Sequence, residues 1–280
     1  MSLSLGINYG HVSAAYSDAQ INADLNLLKS KGITKIRVAF PPYSTNGTYA
    51  IQKNIISLAL AKGFYVIWGV CCLSDFTDVQ WAAFKTEVQV VAAYAQSLNN
   101  ANFELSIGNE EELKNNGASA PDDATVRSDL KTLATAVQAI YTVGSVSYQT
   151  SQSHIAAWNT IGRGNIDILG FNCYDSLANF STNVALVFAD FGANGCITEW
   201  NCNNGYTGAG SEQVLETETR NRLAILAASG ISSAYFFTFN HTSGSFGITD
   251  AQWNVLLEDN VTFRDAFQAM TGKRKWYVNI

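Results

Sequence analysis

Short apolar runs rich in β-branched and aromatic residues alternate along this chain with longer stretches whose apolar positions recur every three or four residues. Residues 3–9 predict a first strand, and Ile21, Leu25 and Leu28 mark one face of a helix over about 18–31, stopped at Gly32. Lys35 to Phe40 reads as a second strand, closed by Pro41 and Pro42, and Ile51, Ile55 and Leu58 as a second helix ending near Gly63. Phe64 to Val70 is an uninterrupted apolar run, the pattern of a strand buried on both faces. Trp81, Phe84, Val88, Val91, Ala95 and Leu98 give the most regular helical stripe in the chain.

The same alternation continues to the end. Residues 103–110 predict strand four, and Leu130, Leu133, Val137 and Ile140 the helix after it. Residues 144–149 form a weaker fifth strand followed by a short helix over 153–161. Residues 166–174 and 180–190, 195–200 and 211–229, then 233–239, complete the series, with a capping-box signal at Thr249 and Gln252 for a last helix. Eight strand–helix units in 280 residues average about 35 residues each, which suits a closed parallel barrel ringed by helices. The expectation is one (β/α)8 TIM barrel forming a single domain over residues 1–280. An open doubly wound sheet is the alternative, but the turn after strand one, Asn8 to Ser13, has no glycine-rich phosphate loop.

Composition narrows the function classes. The net charge is −6, and the one cluster of basic residues is Lys273, Arg274 and Lys275, too few for a surface that tracks phosphates, so no nucleic-acid partner is expected. No apolar run is long enough to span a membrane. Histidines at 11, 154 and 241 and five cysteines (71, 72, 173, 196 and 202) show no metal-ligand spacing, so no metal is expected. The odd cysteine number favours buried thiols, with one bridge through Cys196 or Cys202 open. Asn46, Asn179, Asn240 and Asn260 fit the glycosylation acceptor pattern. The expected setting is extracellular or periplasmic, and the expected state a monomer.

In a parallel barrel the reactive groups stand where strands end. Those ends carry Asn8 and Tyr9, Arg37 and Phe40, Trp68, Asn109 and Glu110, Tyr148, Asn172 and Tyr174, Glu199 and Trp200, and Phe239 and Asn240. Glu110 and Glu199 lie 89 positions apart, on strands four and seven, and both terminate short apolar runs. Converging carboxylates are what glycosidic bond cleavage needs. The rest of the inventory, amides and aromatics, suits a carbohydrate: amides bind hydroxyls, and aromatic faces stack on sugar C–H surfaces. Trp68, Tyr148, Trp200 and Phe239 either stack on sugar or pack the barrel. Glu111 and Glu112 are expected to start a loop or cap the next helix, although either becomes the acid if the register slips.

Ile107 to Glu110 and Ile197 to Trp200 resemble the acid/base and nucleophile strands of the retaining clan A glycoside hydrolases, the 4/7 superfamily. In that clan an Asn precedes the acid/base Glu on strand four, a Tyr on strand six holds the nucleophile, and the nucleophile Glu ends strand seven. The matching positions are Asn109, Glu110, Tyr174 and Glu199, with Arg37 as the cation beside the nucleophile. Leu5 to Gly10 and Ile107 to Glu110 are also similar to motifs of the family 17 β-1,3-glucanases; the Trp expected at the end of strand eight is replaced by Phe237 or Phe239. The resemblance implies double displacement on a β-linked polysaccharide or oligosaccharide, with Glu199 as nucleophile and Glu110 as acid/base, and carboxyl groups about 5–5.5 Å apart. It places Asn109 at the sugar 2-hydroxyl and implies no cofactor. The candidate substrate-binding set is Asn109, Tyr174, Arg37, Asn172, Trp200, Tyr9, Trp68, Tyr148 and Phe239. The rivals are a carbohydrate-binding barrel without turnover, a hydrolase of mannan or xylan, and a barrel aldolase, which would need a lysine ending a strand.

Overall fold

The computed structural model describes residues 3–9, 17–44, 47–71, 76–113, 121–202 and 212–237. Within them eight parallel strands close into a barrel in sequence order, β1 (Ser4–Tyr9), β2 (Lys35–Val38), β3 (Tyr65–Gly69), β4 (Phe103–Asn109), β5 (Val146–Ser151), β6 (Ile168–Cys173), β7 (Gly195–Trp200) and β8 (Ser233–Phe236), with β8 pairing back to β1. Between them run α1 (Asp18–Ser30), α2 (Ala50–Ala61), α3 (Asp78–Leu98), α4 (Asp123–Gln138), α5 (Ile155–Ile161), α6 (Leu177–Phe191) and α7 (Glu212–Ser229). This is the (β/α)8 arrangement expected from the alternation. The helix expected beyond Thr249 lies outside the described residues. Among the described residues no helix is long and apolar enough to cross a membrane.

Local sequence explains the helix starts. Ser17 and Thr77 each accept the amide of the residue three positions on, and Gln20 and Gln80 reach back to the cap amides, so α1 and α3 both open on a capping box. The stripe of Trp81, Phe84, Val88, Val91 and Ala95 is buried against the barrel as its spacing requires. The 3-10 turn Glu111–Leu113 after β4 departs from expectation: Glu111 and Glu112 are buried rather than solvated loop residues.

The apolar core lies between barrel and helices, filled by the outward residue of each strand pair: Ile7, Ile36, Val66, Leu105, Val146, Leu169, Ile197 and Ala234. The inward residues are different in kind. Gly6 lies so close to Tyr235 that an added Cβ would stand 2.3 Å from the ring, so the Tyr235 ring fits inside the barrel only because position 6 carries no side chain. Glu104, buried inside the barrel, accepts from the Tyr65 hydroxyl at 2.7 Å, and burial raises its pKa above the ordinary carboxylate value. Lys35 lies near enough to pull that pKa back partway, while burial lowers its own. Cys173 and Cys196 are buried free thiols, so no bridge runs through Cys196; Cys72 lies outside the described residues.

Candidate active site

Strand periodicity decides which strand-end residues meet. Side chains at alternate positions point to opposite faces of a strand, so Asn8, Arg37 and Asn172 enter the barrel mouth while their chain neighbours face the helices. The register of β7 shifts against β6 between the Phe171–Ile197 and Asn172–Glu199 pairs, and against β8 between Ile197 and Trp200. The extra residue lets two successive side chains, Thr198 and Glu199, contribute to the mouth. Register shifts again between β4 and β5, from Ser106 to Asn109. Bulges of this kind re-aim side chains next to active sites.

The β4 shift needs Gly108. Its φ is +156°, and a Cβ there would meet the Glu111 carboxyl at 2.3 Å. Glu110 then adopts a left-handed backbone, φ +60°, uncommon for a residue with a side chain and costing of order 1–3 kcal/mol. Its amide donates to Gln149 O at 2.9 Å, which holds the turn against β5.

These devices assemble one polar network. Arg37 Nη1 donates to Glu199 Oε1 at 2.8 Å and to Asn8 Oδ1 at 2.7 Å. Arg37 Nη2 donates to Asn109 Oδ1 at 2.9 Å, and the guanidinium carbon lies 4.3 Å from the centre of the Phe40 ring. The Tyr174 hydroxyl donates to Glu199 Oε2 at 2.6 Å, so each oxygen of that carboxylate has a donor. Asn172 Nδ2 donates to Asn109 Oδ1 at 3.1 Å and to Glu110 Oε1 at 3.0 Å, while its Oδ1 accepts from Thr198 Oγ1 at 3.0 Å. A continuous hydrogen-bonded path thus joins Glu199 to Glu110 through Arg37, Asn109 and Asn172. Burial, and then the Glu199 carboxylate, push the Tyr174 phenol well above its ordinary pKa of 10.0, so it remains a proton donor to Glu199 at neutral pH.

Glu110, Glu199, Asn109, Asn172, Tyr174 and Arg37 are therefore brought together. Tyr9, Trp68, Tyr148 and Trp200 are not. Each is fully buried on the helix side of its strand. Tyr9 donates to Asp24 of α1 at 2.6 Å, Trp68 packs edge-on to Tyr49 and Tyr94, Tyr148 lies against Trp158 of α5, and Trp200 against Phe236 and Phe180. Of the two readings open for Trp68, Tyr148 and Trp200, packing is the one adopted, and Tyr9, expected at the substrate, packs toward α1 instead. Phe239, Asn240, His11, His241 and Asp75 lie outside the described residues. Phe237 stands edge-on to Tyr174 at 6.1 Å between ring centres.

Sequence reasoning placed Asn8 at a strand end without giving it a role, and it missed the other supporting residues. Asn8 fixes Arg37 and is itself fixed by donating to Thr198 O at 2.9 Å. Gln152 accepts the Tyr174 amide at 2.9 Å. Ser106 donates to Gln149 Oε1 at 2.6 Å below the β4 bulge. Alternation along the strands marks Asn8, Ser106 and Gln149 as inward polar positions; Gln152 has no comparable signal. Among the described residues no group of three or more His, Cys, Asp or Glu side chains is placed to hold a metal ion.

No protein-family model matches the sequence, and no curated protein matches it significantly. Solved structures do match. A GH5 family lichenase from Caldicellulosiruptor sp. F32 superimposes with a TM-score of 0.67 at 12% identity, covering 91% of this chain and 92% of that one. An endo-β-mannanase/endo-β-glucanase from Prevotella bryantii aligns at 0.67 and 14% identity over 91% of this chain and 48% of its own. A β-glucuronidase from Bacteroides uniformis, bound covalently to cyclophellitol-6-carboxylate aziridine, aligns at 0.65 and 14% over 88% of this chain and 31% of its own. At such identities the likeness establishes the barrel fold.

Proposed function

We propose that this protein is a retaining β-glycoside hydrolase acting on a neutral, glucan-like β-linked polysaccharide or oligosaccharide. The observation that carries the reading is the single network joining Glu199, Arg37, Asn109, Asn172 and Glu110 across the barrel mouth. Solved neighbours of the same fold include a lichenase and an endo-β-mannanase/endo-β-glucanase, which supports this reading.

Each residue has a task that its surroundings suit. A Glu199 oxygen attacks the anomeric carbon as the glycosidic C–O bond breaks, and the proton of Glu110 passes to the leaving oxygen. Water then attacks the glycosyl-enzyme, Glu110 takes its proton, and the bond to Glu199 breaks. Arg37 and Tyr174 orient Glu199, each donating to one of its two carboxylate oxygens. The Asn109 amide, held through its oxygen by Arg37 and Asn172, turns its NH2 group toward a sugar hydroxyl. Arg37 is engaged by Glu199, Asn8 and Asn109, which favours a neutral sugar over a uronic acid.

The test is reducing-end release from β-1,3-, β-1,4- and mixed-linked glucans, mannan and xylan by the parent and by Glu199→Gln, which preserves side-chain volume. The parent is expected to release sugar from at least one glucan, and the variant to lose more than about 10⁴-fold in rate. A parent that binds the glucans without cleaving any would make the protein a carbohydrate-binding barrel. Equal release by both proteins would remove Glu199 from the mechanism.

A further inference from the structure

The turn that presents Glu110 is followed by a carboxyl that the mechanism above does not use. Glu112 is 2% exposed, yet it receives donors from two other elements. Its Oε1 accepts from Thr150 Oγ1 of β5 at 2.8 Å and from the Trp158 indole of α5 at 2.8 Å. The Tyr148 hydroxyl donates to its Oε2, and the same hydroxyl oxygen accepts the amide of Glu111 at 3.1 Å. One residue further back, Glu110 O accepts the Leu113 amide at 3.0 Å. The left-handed residue is thus pinned on both sides, by Gln149 in front and by the Tyr148–Glu112 pair behind.

We propose that Glu112 is a positioning residue for the acid/base: its buried carboxyl, through Tyr148 and the Glu111 amide, holds the left-handed turn that aims Glu110 at Asn172 and the barrel mouth. The inference rests on the hydrolase reading for its kinetic consequence only. A buried carboxyl gathering three donors on one short turn costs desolvation that an apolar side chain avoids. The turn it closes stores backbone strain that something must hold.

The groups facing Glu112 are few. His154 Nδ1 stands 3.5 Å from Oε1, and its Nε2 is 3.8 Å from Asp123 of α4. Burial, with Arg127 of α4 next, lowers the His154 pKa, so the ring is neutral near pH 7. Glu111 is the charged neighbour on the same turn. Burial raises the Glu112 pKa to about 7, so the carboxyl changes charge near neutrality.

The experiment compares Glu112→Gln and Tyr148→Phe with the parent on two β-glucosides, one with a poor alkyl leaving group and one with 2,4-dinitrophenolate. A good leaving group departs without acid assistance. Both variants are expected to lose 10-fold or more in kcat on the alkyl glycoside, little on the dinitrophenyl glycoside, with KM nearly unchanged. A merely structural role would depress both substrates alike, and that outcome, or no loss at all, overturns the proposal. Crystal structures of parent and Glu112→Gln supply the second readout. Glu110 is expected to leave φ near +60° in the variant, and an unchanged turn overturns the proposal without reference to turnover. If the parent cleaves neither glycoside, the hydrolase reading fails while the crystal structures still decide what Glu112 holds.

Discussion

The ends of β4 and β7 solve the same problem differently. Each strand shifts register just before its glutamate, and each glutamate joins the mouth network. Glu199 stays on a regular strand, 8% exposed, gripped by a guanidinium at 2.8 Å and a phenol at 2.6 Å. Glu110 leaves the strand in a left-handed turn and accepts from the neutral amide of Asn172 at 3.0 Å. Hydrogen bonds to charged groups are worth about 1.5–3 kcal/mol and neutral ones about 0.5–1.5. A carboxylate that must remain ionised gains from the stronger grip. A carboxyl that must give up and recover a proton in each cycle would be hindered by a cation that opposes reprotonation. On the proposed reading the two ends divide the labour, with an ion pair and a phenol gripping Glu199 and a left-handed turn presenting Glu110.

The largest expected effect tests the division directly. Glu110→Ala should lower kcat on unactivated β-glycosides by about 10²–10⁴-fold, with a much smaller loss on a dinitrophenyl glycoside. Added azide should restore turnover on the activated substrate, since an anion needs no general base. Losses independent of leaving group would show that Glu110 transfers no proton. Tyr174→Phe probes the other end and should cost less. Removing one charged hydrogen bond to Glu199, about 1.5–3 kcal/mol, predicts a kcat loss of about 10- to 100-fold. Here the loss should be similar on both leaving groups, because the nucleophile and not the proton is impaired. A leaving-group dependence in this variant would erase the distinction between the two ends.

Much of this arrangement was legible in the sequence, and the exceptions have physical causes. Apolar runs alternating with amphipathic stretches place the first seven strands within one or two residues and the start of the eighth at Ser233, because period 2 and period 3.6 bury different faces. The pairing of Glu110 with Glu199 followed from both being strand-terminal. The aromatic set was read less well, since strand-end position does not say which face a side chain takes. Tyr9, Trp68 and Tyr148 are outward by parity, one step away from the inward residues Asn8, Ile67 and Gln149. Trp200 directly follows inward Glu199 after a bulge that no pattern announces. Glu111 and Glu112 read as solvated loop residues because consecutive charges usually are. Their burial depends on donors from Tyr148, Thr150 and Trp158, about forty positions away in sequence.

The smallest expected effect asks whether the β4 end rests on a titrating support while the β7 end rests on an ion pair. Glu112 has a folded pKa of about 7 against an ordinary 4.5. Between those values the folded protein keeps a proton that the unfolded chain has released, so the fold loses stability as pH rises through that window and gains none below it. The shift from 4.5 to about 7 corresponds to about 3 kcal/mol. Glu112→Gln does not titrate, so its Tm should rise relative to that of the parent between pH 4.5 and 8, by about 5–10 °C at the upper end. Subtracting the two curves removes Glu104, Tyr174 and every other shared titration. A constant difference across that range would mean that the Glu112 carboxyl meets water in solution. The β4 turn would then owe its shape to Gly108 and the Gln149 carbonyl, and the contrast between the two strand ends would shrink to one ion pair.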